Sequence, residues 1–345
     1  MKPSILLLNP GDGTGLNFTR SLAETGSWRT VGLSSDADDY HGAETDIRHL
    51  VTWDSPDELI DIVNGLIAEH RIDLVYAADT GPELLALSMA RDRVSAPMLL
   101  PDLADHLRME DKWSTLVALR EAGVEVPDTV RVDKLADLEA LFKRHRRIWL
   151  RRRHGSAGAG STATESEAFA RAWIDEHNGW GDFTAAECLT SRTATFSGLW
   201  HNGELIASQL RERMGWKHPY LSTSGVTGIT GAQRTVWDES LHQLAVKCVR
   251  ATAERPHGAI GVDFTWHQDG RPLPTEVQPA RFYSSIYFLS RCGLNLPNLF
   301  CTVALRGRQA AGRALINPIR DTHYWVKGVD KLPQLLTEGE YYARG

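Results

Sequence analysis

The sequence predicts a mixed protein, α/β at its start and α+β beyond, built from more than one packed unit. Three observations carry this. The chain has 345 residues, more than one ordinary core accommodates. Strand and helix patterns alternate through roughly the first 105 residues, as in a parallel sheet with crossover helices. Near the other end, Gly261 to Gln278 reads as a β-hairpin turned at Asp269-Gly270.

The first unit opens with a strand over Ser4 to Asn9, a glycine loop (Gly11, Gly13, Gly15) and a helix over Asn17 to Thr25. The loop either binds a phosphate at the helix N-terminus or is a structural turn, and it lacks the Gly-x-Gly-x-x-Gly spacing of a dinucleotide fingerprint. A helix over Pro56 to His70 then leads into a strand over Asp73 to Ala78. Composition changes at Leu100-Pro101, and Asp102 to Ala122 reads as one or two helices closed by Gly123. A strand over Arg147 to Arg151 runs into a loop of small residues, Gly155 to Ser161. Such a loop can lay backbone N–H groups along a triphosphate, with a strand arginine neutralising charge at its edge.

Composition excludes several classes. Apolar residues make up 42% and charged residues 24% of the chain, the balance of a soluble globular protein. A net charge of -6 argues against nucleic acid as a partner, and the basic run from Lys143 to His154 carries no aromatic platform beyond Trp149. No apolar run reaches membrane-span length and no secretory signal is legible, so a cytoplasmic protein without a membrane partner is expected. Four cysteines, Cys188, Cys248, Cys292 and Cys301, lack metal-ligand or redox spacing and read as buried thiols.

The hairpin carries the chemistry. A two-residue loop at Asp269-Gly270 places Asp263 opposite Glu276, with Gln278 two residues farther on the same face. Opposed carboxylates repel unless a cation lies between them. Two acids and a carboxamide oxygen suit Mg²⁺ completed by phosphate and water. The plainer reading is an edge hairpin whose acids face solvent.

Five features in order resemble the ATP-grasp superfamily: Asp111-Lys112 on a helix ending at Pro127, Arg151 before the glycine loop, Glu187-Cys188-Leu189, Asp263, and Glu276 to Pro279. The likeness is greatest to one ATP-binding unit of the carbamoyl-phosphate synthase large subunit and to carboxylate-amine ligases. It implies a pre-ATP-grasp α/β domain over 1–105. A two-lobed ATP-grasp fold follows, its first lobe with the lid loop over 106–185 and its second with the metal hairpin over 186–345. It implies ATP and Mg²⁺ as cofactors. Lys112 and Arg151 would contact phosphates, and Gly155, Ser156 and Gly158 would form the lid. Glu187, Cys188 and Leu189 would receive adenine, and Asp263, Glu276 and Gln278 would hold the metal.

The implied reaction activates a carboxylate as an acyl phosphate and joins it to an amine, with both substrates small molecules and Arg281 stabilising the intermediate. Arg211 and Arg213, two apart on a strand turned at Asn202-Gly203, either clamp the acid or form an exposed charge ladder with Glu212. His218, Tyr220 and Ser224 follow in a polar loop. Three departures from the family pattern stand out: Gln278 replaces an asparagine, Arg281 comes one position late, and no acid lies between Thr190 and Gly203 to bind a ribose. They leave a second reading open, a degenerate ATP-binding regulatory or scaffold subunit. The apolar stretch Tyr283 to Leu289 suits a core or a homodimer interface.

Overall fold

The structure, a computed structural model, describes residues 2–78, 81–155, 158, 160–217, 229–328 and 332–342. Three sheets lie within residues 4–77, 129–187 and 193–337.

The first sheet is parallel, ordered β3-β2-β1-β4. Its elements are β1 (Ser4–Leu8), α1 (Gly13–Ala23), β2 (Arg29–Ser34), α2 (Ala37–Gly42), β3 (Ile47–Leu50), α3 (Pro56–His70), β4 (Leu74–Ala77) and α4 (Pro82–Met89). Every residue of β1 and β4 is buried, which is why both read as unbroken apolar runs. Helix α3 begins where Ser55 accepts from the Glu58 N–H with Pro56 in the first turn. Helix α1 begins at Gly13 rather than near Asn17, because Asp12 caps it by accepting from the Gly15 N–H at 2.5 Å. A side chain on Gly11 would run into the Asp39 carbonyl, and one on Gly15 into Asn9 and Pro10. Close packing accounts for these glycines, the structural-turn reading of that loop.

Helices α5 (Leu103–Glu110) and α6 (Lys112–Glu121) meet at Asp111. Residues assigned from sequence to the first lobe here pack elsewhere: Met109, Leu119 and Val124 join Leu241, Val249 and Val262 in the core of the last sheet. The second sheet is antiparallel, β5-β8-β6-β7, from β5 (Thr129–Val132), β6 (Ile148–Arg152), β7 (Thr162–Thr164) and β8 (Phe183–Glu187). Helices α7 (Leu135–Phe142) and α8 (Glu167–Glu176) supply Leu138, Leu141, Ala170 and Ile174 to its core. The basic run is largely neutralised locally: Arg144 pairs with Asp128, Arg146 with Glu165, Arg152 with Asp182 and Arg153 with Asp111.

The third sheet has eight strands, ordered β13-β12-β9-β10-β11-β15-β16 with β14 beside β10. Its elements are β9 (Thr193–His201), β10 (Glu204–Lys217), β11 (Ile229–Val236), α9 (Glu239–Thr252), β12 (Gly258–Trp266), β13 (Pro272–Pro279), α10 (Tyr287–Arg291), α11 (Leu296–Arg306), β14 (Leu315–Ile316), β15 (His323–Val326), β16 (Gln334–Thr337) and α12 (Glu338–Tyr342). One face, with Phe196, Leu210, Ile260 and Phe264, packs on α9. The other joins the first unit in a shared core of Ile5, Phe18, Tyr76, Leu199, Phe282 and Phe288. Ile286, Phe288 and Leu289 are fully buried there, so the apolar stretch considered for a dimer interface is core.

Of the cysteines, Cys248 and Cys301 are buried, whereas Cys188 and Cys292 are half-buried; all four are free thiols. Among the described residues no helix is long and apolar enough to cross a membrane.

Candidate functional site

The hairpin of β12 and β13 differs from its sequence reading in two places that cancel. Trp266 pairs with Pro272, so the loop is one residue longer than the two-residue turn expected, with Gly270 at φ +90°. The register then shifts between Asp263 and Phe264, leaving Thr275 as the extra residue of a β-bulge. Asp263 therefore faces Glu276 after all.

That pair ends a polar row across the sheet. Arg211 pairs with Thr195, Thr195 with Asp263, and Asp263 with Glu276, so all four side chains leave the same face. Thr195 donates its hydroxyl to Asp263 at 2.5 Å. Gln278 donates its amide to the other Asp263 oxygen at 3.0 Å. An amide N–H group thus occupies the Asp263 oxygen that the sequence argument gave to a cation; Gln278 offers its oxygen to a metal only with the carboxamide turned over. Among the described residues no group of three or more His, Cys, Asp or Glu side chains is arranged to hold a metal ion, so a metal here would draw its remaining ligands from Gln278, phosphate or water.

Cations reach the acids from other elements. Lys112, at the first position of α6, puts Nζ 3.5 Å from Glu276 and donates to the Gly155 carbonyl at 2.6 Å. Arg151 at the end of β6 donates to the Thr275 carbonyl at 2.7 Å. Burial would raise the Glu276 carboxyl, but Lys112, Arg151 and Arg281 outweigh it and hold the pKa below its ordinary value. Arg281 follows Ala280, which is fully buried with φ +62°. Beneath Lys112, Asp111 accepts from Arg153, Ser114 and the Trp113 N–H. These bonds overcome burial and lower its pKa to about 2.

The remaining predicted residues are more scattered. Gly155 and Gly158 adopt φ +96° and +74°, backbone that favours glycine. Ser156, like His218, Tyr220 and Ser224, lies outside the described residues. Glu187 is engaged structurally, accepting from the Asp128 N–H at 2.9 Å with His267 3.2 Å away. Cys188 and Leu189 follow it toward Thr190, whose N–H donates to the Trp266 carbonyl at 2.9 Å. Arg211 is buried against the Tyr283 ring at 4.6 Å, and Arg213 lies 3.7 Å from the Trp216 ring centre while bonding Thr193 and Thr230. An exposed charge ladder is thereby excluded. Glu212 points to the opposite face and pairs with Arg192 and Arg234.

Sequence reasoning missed Thr195 and Thr193, which become legible only once β9 is seen between β10 and β12. It also missed Gln233 and Trp325, which carry no motif.

No protein-family model matches the sequence, and no curated protein matches it. Solved structures do. An L-amino acid ligase from Bacillus licheniformis superposes with a TM-score of 0.69 at 15% identity, over 94% of this chain and 79% of the other. A biotin carboxylase from Campylobacter jejuni, solved as a beta-gamma-ATP complex, gives 0.69 at 16%, over 95% and 76%. An N5-carboxyaminoimidazole synthetase from Staphylococcus aureus gives 0.68 at 13%, over 94% and 83%. At such identities the likeness speaks for architecture, and the order of units and sheets agrees with it: the chain has the ATP-grasp fold.

Proposed function

We propose that the chain is an ATP-dependent ligase that activates a small carboxylic acid as an acyl phosphate and joins it to an amine. The observation that carries this reading is the meeting of Asp263, Glu276 and Gln278 on one hairpin with Lys112 and Arg151 from two other elements. Structural neighbours that include an amino-acid ligase and an ATP-complexed biotin carboxylase support it.

Asp263, Glu276 and Gln278 are the hard oxygen donors that fit Mg²⁺. Bound there, the ion would neutralise charge on the phosphate oxygens during transfer. Lys112 and Arg151 hold Glu276 ionised, as a metal ligand must be. Arg281, whose charge also lowers the Glu276 pKa, stabilises the charge that develops on the transferred group. Gly155, Gly158 and Gly160 border the phosphates, with Gly160 tethered through its carbonyl to Trp173 at 3.0 Å. Glu187, Cys188 and Leu189 supply the edge for adenine, and Arg211 and Arg213 orient the acid.

Glu276→Ala is expected to abolish ADP release from Mg²⁺-ATP in a screen of acid and amine pairs while circular dichroism stays unchanged. Retention of the full rate would remove the metal assignment. The absence of an acid from Thr190 to Gly203 favours a second reading, an ATP-binding regulatory or scaffold subunit. Nucleotide binding with no ADP release from any pair would establish that one instead.

A further inference from the structure

The far end of the same sheet face holds groups that phosphoryl transfer does not use. Gln233 on β11 lies directly opposite Arg213 on one side and Trp325 on the other, so the three side chains share a face. Arg211 is two residues from Arg213 on that face, and Lys327, two residues past Trp325, is near enough to Arg211 for their charges to repel. Gln233 is 0% exposed, and neither end of its carboxamide has a hydrogen-bond partner. The same holds for Nε and Nη1 of Arg211, the Tyr283 hydroxyl and Nε1 of Trp325.

One buried polar atom without a partner costs about 1–3 kcal/mol, and folded proteins carry few of them. A group of several on one face marks a place where a ligand completes the bonding. Donors predominate in the set. Among the described residues Arg211, Arg213 and Lys327 form no ion pair, while Glu212 is spent on the opposite face. Three cations and an indole N–H with no acid in contact call for an anion; the acid whose charge reaches Arg211 and Arg213 is Asp263, along the row.

Position decides which anion. Strands β11 and β12 are separated by β10 and β9, roughly 14 Å at the usual strand spacing. An anion seated at Gln233 is therefore not the group that meets Asp263 and Glu276.

Building on the ligase reading above, we propose that the acid substrate is two-ended, with a second anionic group, carboxylate or phosphate, bound by Arg211, Gln233 and Lys327 while the carboxylate to be activated lies toward Asp263.

The test is calorimetric binding to the full chain without ATP or Mg²⁺. The probes are glutarate and adipate, O-phosphoserine, and the monoanions pentanoate and hexanoate. The two-ended acids are expected to bind at least tenfold more tightly than the monoanions, and Gln233→Leu and Lys327→Gln to abolish that preference. Comparing O-phosphoserine with adipate tells which second group is favoured. Gln233→Leu, which removes two unpartnered atoms, should also raise the melting temperature of the unliganded chain. Equal binding of one- and two-ended acids, or a preference that survives both substitutions, overturns the subsite. ADP release is measured separately: its absence with intact two-ended binding defeats the ligase reading alone, and its presence without that binding defeats the subsite alone.

Discussion

Arg151 donates across two sheets to the carbonyl of Thr275, the one residue of β13 left unpaired by the bulge. The bulge restores the register that sets Asp263 against Glu276, so this arginine secures the geometry of the acids in the unliganded chain. Thr275 adds a bond of its own, from its hydroxyl to the Asp263 carbonyl at 3.2 Å.

Arg151→Met keeps much of the side-chain volume and removes the donor. It should lower the stability of the unliganded protein by about 2 kcal/mol, the scale of a buried hydrogen bond from a charged group, as well as suppress ADP formation. Urea denaturation without nucleotide separates the two roles: unchanged stability would leave Arg151 a phosphate contact only.

Arg281 lies one position later than the family pattern implies, and the residue before it takes the strain. Ala280 sits at φ +62° with no exposed surface, in the left-handed region that non-glycine residues enter at a cost of about 1–2 kcal/mol. Arg281 nevertheless acts on Glu276. Arg281→Ala should slow ADP formation by about 10²-fold with a much smaller effect on nucleotide affinity; equal losses would reassign it to binding. Ala280→Val, a β-branched residue in the same backbone, should lower the unfolding midpoint in urea and slow turnover together.

Asp111 provides a pH signature. Its folded pKa of about 2 lies below the ordinary 3.8, so its contribution is fully present above roughly pH 4 and is lost as pH falls through 2. That difference corresponds to about 2 kcal/mol. Asp111→Asn should therefore be less stable than wild type near neutrality, with the gap closing between about pH 4 and pH 2 in acid titrations of unfolding. A gap that stays constant over that range would show that the carboxylate charge contributes nothing at this helix start.

Local chemistry made much of the candidate site legible in the sequence. The acids, Gln278 and the Asp269-Gly270 turn lie within eighteen consecutive residues, where strand periodicity alone projects side chains to one face or the other. Asp111 and Lys112 are read the same way, from a helix start. The bulge escaped because two one-residue deviations of opposite effect leave the alternation of Asp263 and Glu276 unchanged.

What periodicity cannot supply is which strand lies beside which. Thr195 touches Asp263 only because β12 pairs with β9, and Gln233 meets Trp325 only because β15 returns to β11. Those pairings join residues 68 and 92 positions apart, and they are chosen by the burial of Leu199, Phe282 and Phe288 against the first unit. The sequence by itself determined the alternating opening unit, the late hairpin and the charge of the site. Tertiary packing alone decided which cations face the acids and which buried amide is left without a partner, because side-chain direction is a local property of a strand and its neighbours are not.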